Sequence, residues 1–223
     1  MQLKGILDLS LYVITDRFLA RGRSHREVVE EAISGGATCI QLREKDVTTG
    51  EFYASARELR KLTREKGVGL IINDRLDIAL TVEADGVHLG QDDLPLYAAA
   101  RLLPSGMILG ASAGNLQQAK EAQSLGASYL GVGAIFETGT KSDAGKPIGL
   151  QALANICSNV SIPVVGIGGI DSSNAKPVIE AGAAGIAVIS SVVGASDVAA
   201  AARKLAREVK QALDPGRQGL GRG

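Results

Sequence analysis

Histidine, cysteine and net charge are all scarce in this chain, and each scarcity closes off a class of function. The only histidines are His25 and His88, neither with a triad partner at a readable spacing, and no serine stands in a G-x-S-x-G context. Acid–base catalysis by histidine and serine-nucleophile chemistry are therefore disfavoured, and His88, inside an apolar run, is expected mainly to pack. The only cysteines, Cys39 and Cys157, lie far apart in apolar surroundings without C-x-x-C spacing. They read as buried inert thiols rather than a metal or redox pair, which fits a reducing cytoplasm. With 24 basic and 24 acidic residues the formal charge is zero, so no global field draws in nucleic acid or an anionic membrane, and any anion site has to be local. No uncharged apolar run approaches the length of about 20 residues that a membrane span requires. Met1–Asp8 has neither the basic start nor the apolar segment of a leader. The expectation is a soluble, cytoplasmic protein with no nucleic-acid or membrane partner, and nothing in the composition assigns an oligomeric state.

What the chain does have is a repeat. Its 223 residues, 45% of them hydrophobic, suffice for one barrel-sized domain, expected over 1–213. The glycine-rich 214–223 is expected to be a flexible tail. Short β-branched runs recur at Tyr12–Thr15, Cys39–Arg43, Leu70–Asn73, Val87–Leu89, Ile108–Ser112, Tyr129–Gly133, Val164–Ile167 and Ile186–Ile189, and amphipathic stretches separate them. Ser24 with Glu27 and Thr48 with Glu51 stand at capping-box spacing, and a last helix runs from about Asp197 to Leu213. Glycine breaks at Gly35-Gly36, Gly67, Gly106, Gly126 and Gly182 suit left-handed helix ends before a strand. Strands apolar on both faces need a parallel sheet covered by helices. Eight strand–helix units predict an α/β fold, a single (β/α)8 TIM barrel. A doubly wound sheet is the alternative, weakened because the first turn, Thr15-Asp16-Arg17, has no G-x-G-x-x-G loop.

In such a barrel all strand C-termini share one face, where the polar strand ends gather. These are Gln41, Arg43 and Lys45; Asn73 and Asp74; Gln91 and Asp93; Ser112; Thr138, Thr140 and Lys141; Gly168-Gly169; and Ser190-Ser191. Arg43 and Lys45, two apart on an extended segment, share a face and supply a planar fork and a point charge for phosphate oxygens. The competing account is a solvated surface pair, with Glu44 at the surface or in an ion pair. Mg²⁺ takes one or two carboxylates with phosphate oxygens and water, a role that suits Asp74 and Asp93. Capping of the following helix is the alternative for either, and Asp92 is a weaker candidate ligand. The long polar segment Glu137–Pro147 suits a lid, and a mobile surface loop is the alternative. Glycines at 168–169 and serines at 190–191 suit backbone binding of a phosphate.

Tyr12-Val-Ile-Thr-Asp-Arg17, Gln41-Leu-Arg-Glu-Lys-Asp46, Asn73-Asp-Arg-Leu-Asp77, Asp85-Gly-Val-His-Leu-Gly-Gln-Asp-Asp93, Thr138-Gly-Thr-Lys141 and Gly166-Ile-Gly-Gly-Ile170 together resemble the thiamine phosphate synthase family across residues 11 to 191. The resemblance implies a (β/α)8 barrel that joins a hydroxymethylpyrimidine diphosphate to a thiazole phosphate with Mg²⁺, releasing pyrophosphate. It implies that Gln41, Leu42, Arg43, Glu44, Lys45, Asn73, Ser112 and Lys141 bind the pyrimidine diphosphate, with Arg43, Lys45 and Lys141 acting on the leaving group. It also implies that Asp74 and Asp93 hold one Mg²⁺, and that Thr138, Gly139, Thr140, Gly169, Ile189 and Ser190 bind the thiazole phosphate. Where the family commonly has prolines, this chain has Ala134 and Glu137, an exchange expected to loosen the sixth-strand loop. A related thiazole tautomerase would not need the diphosphate apparatus, and a noncatalytic precursor sensor would not need the metal pair.

Overall fold

The computed structural model describes residues 7–139 and 146–214. Eight parallel strands follow one another around a closed barrel in chain order: β1 (Leu11–Ile14), β2 (Cys39–Leu42), β3 (Gly69–Asn73), β4 (Gly86–Leu89), β5 (Ile108–Ala113), β6 (Tyr129–Val132), β7 (Val164–Ile167) and β8 (Gly185–Val188). β8 pairs back onto β1, with Ala187 opposite Tyr12, so no strand edge is left open. Closure excludes the doubly wound alternative. Around the barrel lie α1 (His25–Ser34), α2 (Thr49–Lys66), α3 (Leu76–Thr81), α4 (Leu96–Leu102), α5 (Leu116–Ser124), α6 (Gly149–Cys157), α7 (Ala175–Glu180), α8 (Ser190–Val193) and α9 (Val198–Leu213). No described helix is long and apolar enough to cross a membrane. Of the expected tail only Asp214, the C-cap of α9, lies within the described residues.

The local signals act as the sequence predicts. Ser24 and Thr48 accept from the backbone N–H of Glu27 and Glu51, whose carboxylates in turn accept from the N–H of Ser24 and Thr48. Gly67 ends α2 at φ 68°, a conformation that an L side chain disfavours. Strand limits differ from expectation by a residue at the ends. β8 stops at Val188 because Ile189, at φ −122° and ψ −83°, is already the N-cap of α8.

Side chains alternate between two cores. Leu11, Val13, Ile40, Leu42, Leu70 and Ile72 pack outward against the helices. Tyr12, Ile14, Cys39, Ile71, Tyr129, Val165 and Ala187 fill the lumen. Room for the two large lumen rings comes from small neighbours. A Cβ on Gly110 would stand 2.3 Å from Tyr129 Cζ, and one on Gly131 would stand 3.0 Å from His88 Cε1.

Gly110→Ala therefore forces Tyr129 out of place and is expected to cost about 1–3 kcal/mol, the scale of an overpacked core. Gly50→Ala, in α2 with open space around the added methyl, is expected to hold or raise stability by up to about 1 kcal/mol. Urea unfolding of the two variants checks the contrast, and equal midpoints would refute it.

Candidate active site

At the C-terminal face the strand ends surround a cavity of about 400 Å³. Beneath it, inside the barrel, lies a smaller chamber of about 40 Å³ that shares Asn73, His88 and Ser112 with the upper one. Arg43, Lys45, Asn73, Asp74, Asp93, Ser112, Thr138, Gly169, Ile189 and Ser190 line the upper cavity, and Gln41 lines the lower. Leu42 is fully buried in the outer core instead. Glu44 turns outward too, pairing with His25 and with Arg17 at 3.9 Å, and its side chain is only 6% exposed. Strand alternation explains both: from Gln41 onward, odd positions face inward and even ones outward. Gly139 is exposed and does not line the cavity, while Thr140 and Lys141 lie outside the described residues.

The loop after β1 fixes Arg43. Asp16 Oδ1 accepts from the N–H of Phe18 at 3.0 Å and of Leu19 at 3.1 Å, and Asp16 Oδ2 lies 3.4 Å from Arg43 Nη1. Thr15 Oγ1 accepts from Arg43 N–H at 3.1 Å. The Arg43 side chain is 15% exposed and that of Asp16 11%, so this pair is shielded from the screening that weakens surface pairs. Asp16 carries no chemistry-bearing motif of its own, and only its contact across 27 positions reveals the role.

Asp74 is a non-glycine residue at φ 62°, a left-handed conformation that Asp tolerates better than most but that still costs energy and tends to occur where a site requires it. Its N–H donates to His88 O at 2.9 Å, tying the end of β3 to β4. Asp93 Oδ2 accepts from Gly90 N–H at 2.6 Å, closing its own turn. Neither aspartate caps the following helix: the N-caps of α3 and α4 are Arg75 and Pro95, without a side-chain cap bond. Gln91 and Asp92 reach the same cavity. Among the described residues no three or more His, Cys, Asp or Glu converge as a metal cluster. Asp74 and Asp93 offer this cavity carboxylate oxygens, the donor type that suits a hard cation keeping water or phosphate ligands.

The opposite wall is backbone-rich. Gly168 and Gly169 turn with φ 98° and 67°. A Cβ on Gly169 would meet Glu137 O at 2.4 Å, so only glycine allows this turn to pack on the sixth-strand loop. Backbone bonds hold the first residues of that loop: Ile135 N–H donates to Ile167 O at 2.9 Å, Phe136 N–H to Gly168 O at 3.0 Å and Ile148 N–H to Ala134 O at 2.9 Å. Beyond α8, Arg23 donates to the carbonyls of Val193 and Ala195 at 2.9 and 2.8 Å and anchors the segment that carries Ser190.

His88 is more than packing. Its Nδ1 lies 2.9 Å from Tyr129 Oη and its Nε2 2.9 Å from Ser112 Oγ, and the ring lines both chambers. Tyr12 and Tyr129, which the strand-end pattern passes over, stand edge-on with centroids 6.0 Å apart. Burial pushes both phenols well above their ordinary pKa, helped at Tyr12 by the neighbouring Tyr129, so both stay protonated. Lumen parity was the signal for these residues, since Tyr12 and Tyr129 occupy inward positions of their strands.

The family model, the similar relatives and the solved structure of high identity agree. A sequence model described as thiamine monophosphate synthase matches residues 11–192. A thiamine-phosphate synthase of Chloroflexus aurantiacus is 57% identical over 205 residues, 92% of this chain and 94% of the relative. One of Moorella thermoacetica is 55% identical over 202 residues, 91% of this chain and 96% of the relative. The solved thiamine phosphate pyrophosphorylase of Pyrococcus furiosus superposes with a TM-score of 0.87 at 47% identity, covering 93% of this chain and 98% of that one. A 3-hexulose-6-phosphate synthase, at 18% identity and a TM-score of 0.69, shares the fold alone.

Asp16→Ala leaves two backbone donors and Arg43 without their acceptor. A loss of about 1–3 kcal/mol in urea unfolding is expected, the scale of stranded buried partners. An unchanged midpoint would show that the carboxylate does not hold this loop.

Proposed function

The chain belongs to the thiamine monophosphate synthase family, whose relatives are transferases, and from that premise we propose that it joins 4-amino-2-methyl-5-hydroxymethylpyrimidine diphosphate to 4-methyl-5-(2-hydroxyethyl)thiazole phosphate, or its carboxylated form, giving thiamine phosphate and pyrophosphate. The observation that carries this reading is the convergence of Arg43 and Lys45 with Asp74 and Asp93 on one cavity whose far wall is the backbone of Gly168–Gly169 and Ile189–Ser190. Arg43, Lys45 and Lys141 bind the diphosphate. Gln41, Asn73 and Ser112 hold the pyrimidine end, and Thr138, Thr140, Gly169, Ile189 and Ser190 hold the thiazole phosphate, while Gly139 lies outside the cavity lining. Leu42 and Glu44, turned away from the cavity, have no side-chain role in it.

The paired aspartates fit one Mg²⁺, since neither is spent on a helix cap and both offer oxygen. When bound, the ion neutralises charge on the diphosphate. The C–O bond to the pyrimidinylmethyl carbon then breaks with its electron pair leaving on pyrophosphate, and the aminopyrimidine ring delocalises the resulting cation. The thiazole nitrogen donates its lone pair to that carbon. No general base is required, so catalysis consists of stabilising the leaving charge and aligning the nucleophile. His88, bonded through both ring nitrogens, agrees with a route that asks no proton transfer of it. The free thiols Cys39 and Cys157 support a cytoplasmic setting.

An assay with both substrates and Mg²⁺, following thiamine phosphate and pyrophosphate together, is expected to give matched products that EDTA abolishes. Asp74→Ala and Lys141→Ala are each expected to lower turnover by about 10²-fold or more. Near wild-type turnover in both variants would reject these assignments. Binding of thiazole phosphate by a folded protein that releases no pyrophosphate would point instead to the tautomerase or sensor reading.

A further inference from the structure

A hydrogen-bonded chain of side chains crosses the lumen below the diphosphate site. Gln41 Nε2 donates to Tyr12 Oη at 2.7 Å. Tyr12 Oη lies 2.9 Å from Tyr129 Oη, which lies 2.9 Å from His88 Nδ1, and His88 Nε2 lies 2.9 Å from Ser112 Oγ. TIM-barrel interiors are ordinarily filled by branched apolar residues, and a buried polar group is costly unless its bonds are made. This barrel gives up side-chain volume for the chain: a Cβ on Gly110 would strike Tyr129 Oη at 2.4 Å, and one on Gly131 would crowd His88.

The chain has a direction, because each phenol and each neutral imidazole carries one proton to donate. Tyr12 accepts from Gln41, so its own proton goes to Tyr129. Tyr129 in turn donates to His88 Nδ1. The imidazole proton then sits on Nε2 and is given to Ser112 Oγ, leaving the serine's hydroxyl hydrogen free to turn to the cavity that Ser112 lines. At the other end, the amide nitrogen of Gln41 is committed to Tyr12, and the carbonyl Oε1 is the end turned away from it.

We propose that Tyr12, Tyr129 and His88 are positioning residues that set the hydrogen-bond polarity of the pyrimidine subsite: through them Gln41 presents an acceptor and Ser112 a donor. For the identity of the ligand this rests on the proposed synthase reading, whereas the direction of the relay rests on the Gln41 donor and on counting one proton per phenol and per imidazole. A ring with an exocyclic amine and a nearby acceptor is thereby favoured over one of reversed polarity. A lumen pair whose only duty was packing would have no preferred tautomer and no preference between substrates.

The test is ¹⁵N NMR of the imidazoles in the full-length protein, with His25→Asn used to assign the two histidines, together with steady-state kinetics of Tyr129→Phe. The expected spectrum shows His88 neutral and protonated on Nε2. In Tyr129→Phe, which keeps the ring that packs on Gly110, the Nε2-protonated form loses its lock. The KM for the pyrimidine diphosphate is then expected to rise about tenfold, the scale of one lost hydrogen bond, while the KM for the thiazole phosphate stays put. An Nδ1-protonated His88 in the wild-type protein, or equal changes in the two KM values, would overturn the proposal. Absence of product from the wild-type chain would overturn the synthase reading instead, since the spectrum reports the relay without turnover.

Discussion

Everything at the active end depends on the two-residue period of eight strands whose ring is closed. In an open sheet a side chain that points off one face can still meet solvent at an edge. Here it meets either the lumen or the helical shell, because β8 returns to β1. The stretch leaving β2 shows the consequence: Gln41, Arg43 and Lys45 reach the two chambers, while Leu42 enters the outer core and Glu44 pairs with His25. A slip of one residue in this strand would exchange a guanidinium for a leucine at the cavity wall.

The same constraint makes the lumen a place where size is negotiated. Two tyrosines and a histidine share it only because glycines face them from adjoining strands, with Gly110 opposite Tyr129 and Gly131 opposite Ser112 in the pairing register. The result is a rigid polar floor beneath a wall of loops. Rigidity there matters more than elsewhere, because a misplaced hydrogen-bonding group near the reacting atoms weakens catalysis steeply.

Architecture was the most legible property of the sequence. The alternation of apolar runs with capped helices repeats eight times, so single ambiguous elements could not change the outcome, and Ser24 and Thr48 mark their helices as the residue types alone imply. The charged strand ends were legible for the same reason, since Arg43, Lys45, Asp74 and Asp93 each sit at a fixed place in the repeat. Partners far apart in the chain were not. His88 meets Tyr129 across 41 positions, and Arg43 meets Asp16 across 27; both contacts follow from strand register and loop path, which no local pattern encodes. The family resemblance carries Gln41–Lys45 as one block, whereas strand alternation turns the side chains of Leu42 and Glu44 away. At residues 135 and 136 the bonds that hold the segment to the end of β7 run between backbone atoms, and so leave no mark in the side-chain pattern.

A neutral chain proposed to bind a diphosphate raises an electrostatic question at the cavity wall. Two aspartates facing a diphosphate would repel it on their own, and Arg43 is already partly neutralised by Asp16 at 3.4 Å. Under the proposed synthase reading, a cation held by the two aspartates would also engage phosphate and turn a repulsive pair into an attractive one. The left-handed backbone at Asp74 is a conformation that persists only where the surroundings hold it. Here the bond from Asp74 N–H to His88 O at 2.9 Å, which ties the end of β3 to β4, is part of what holds it.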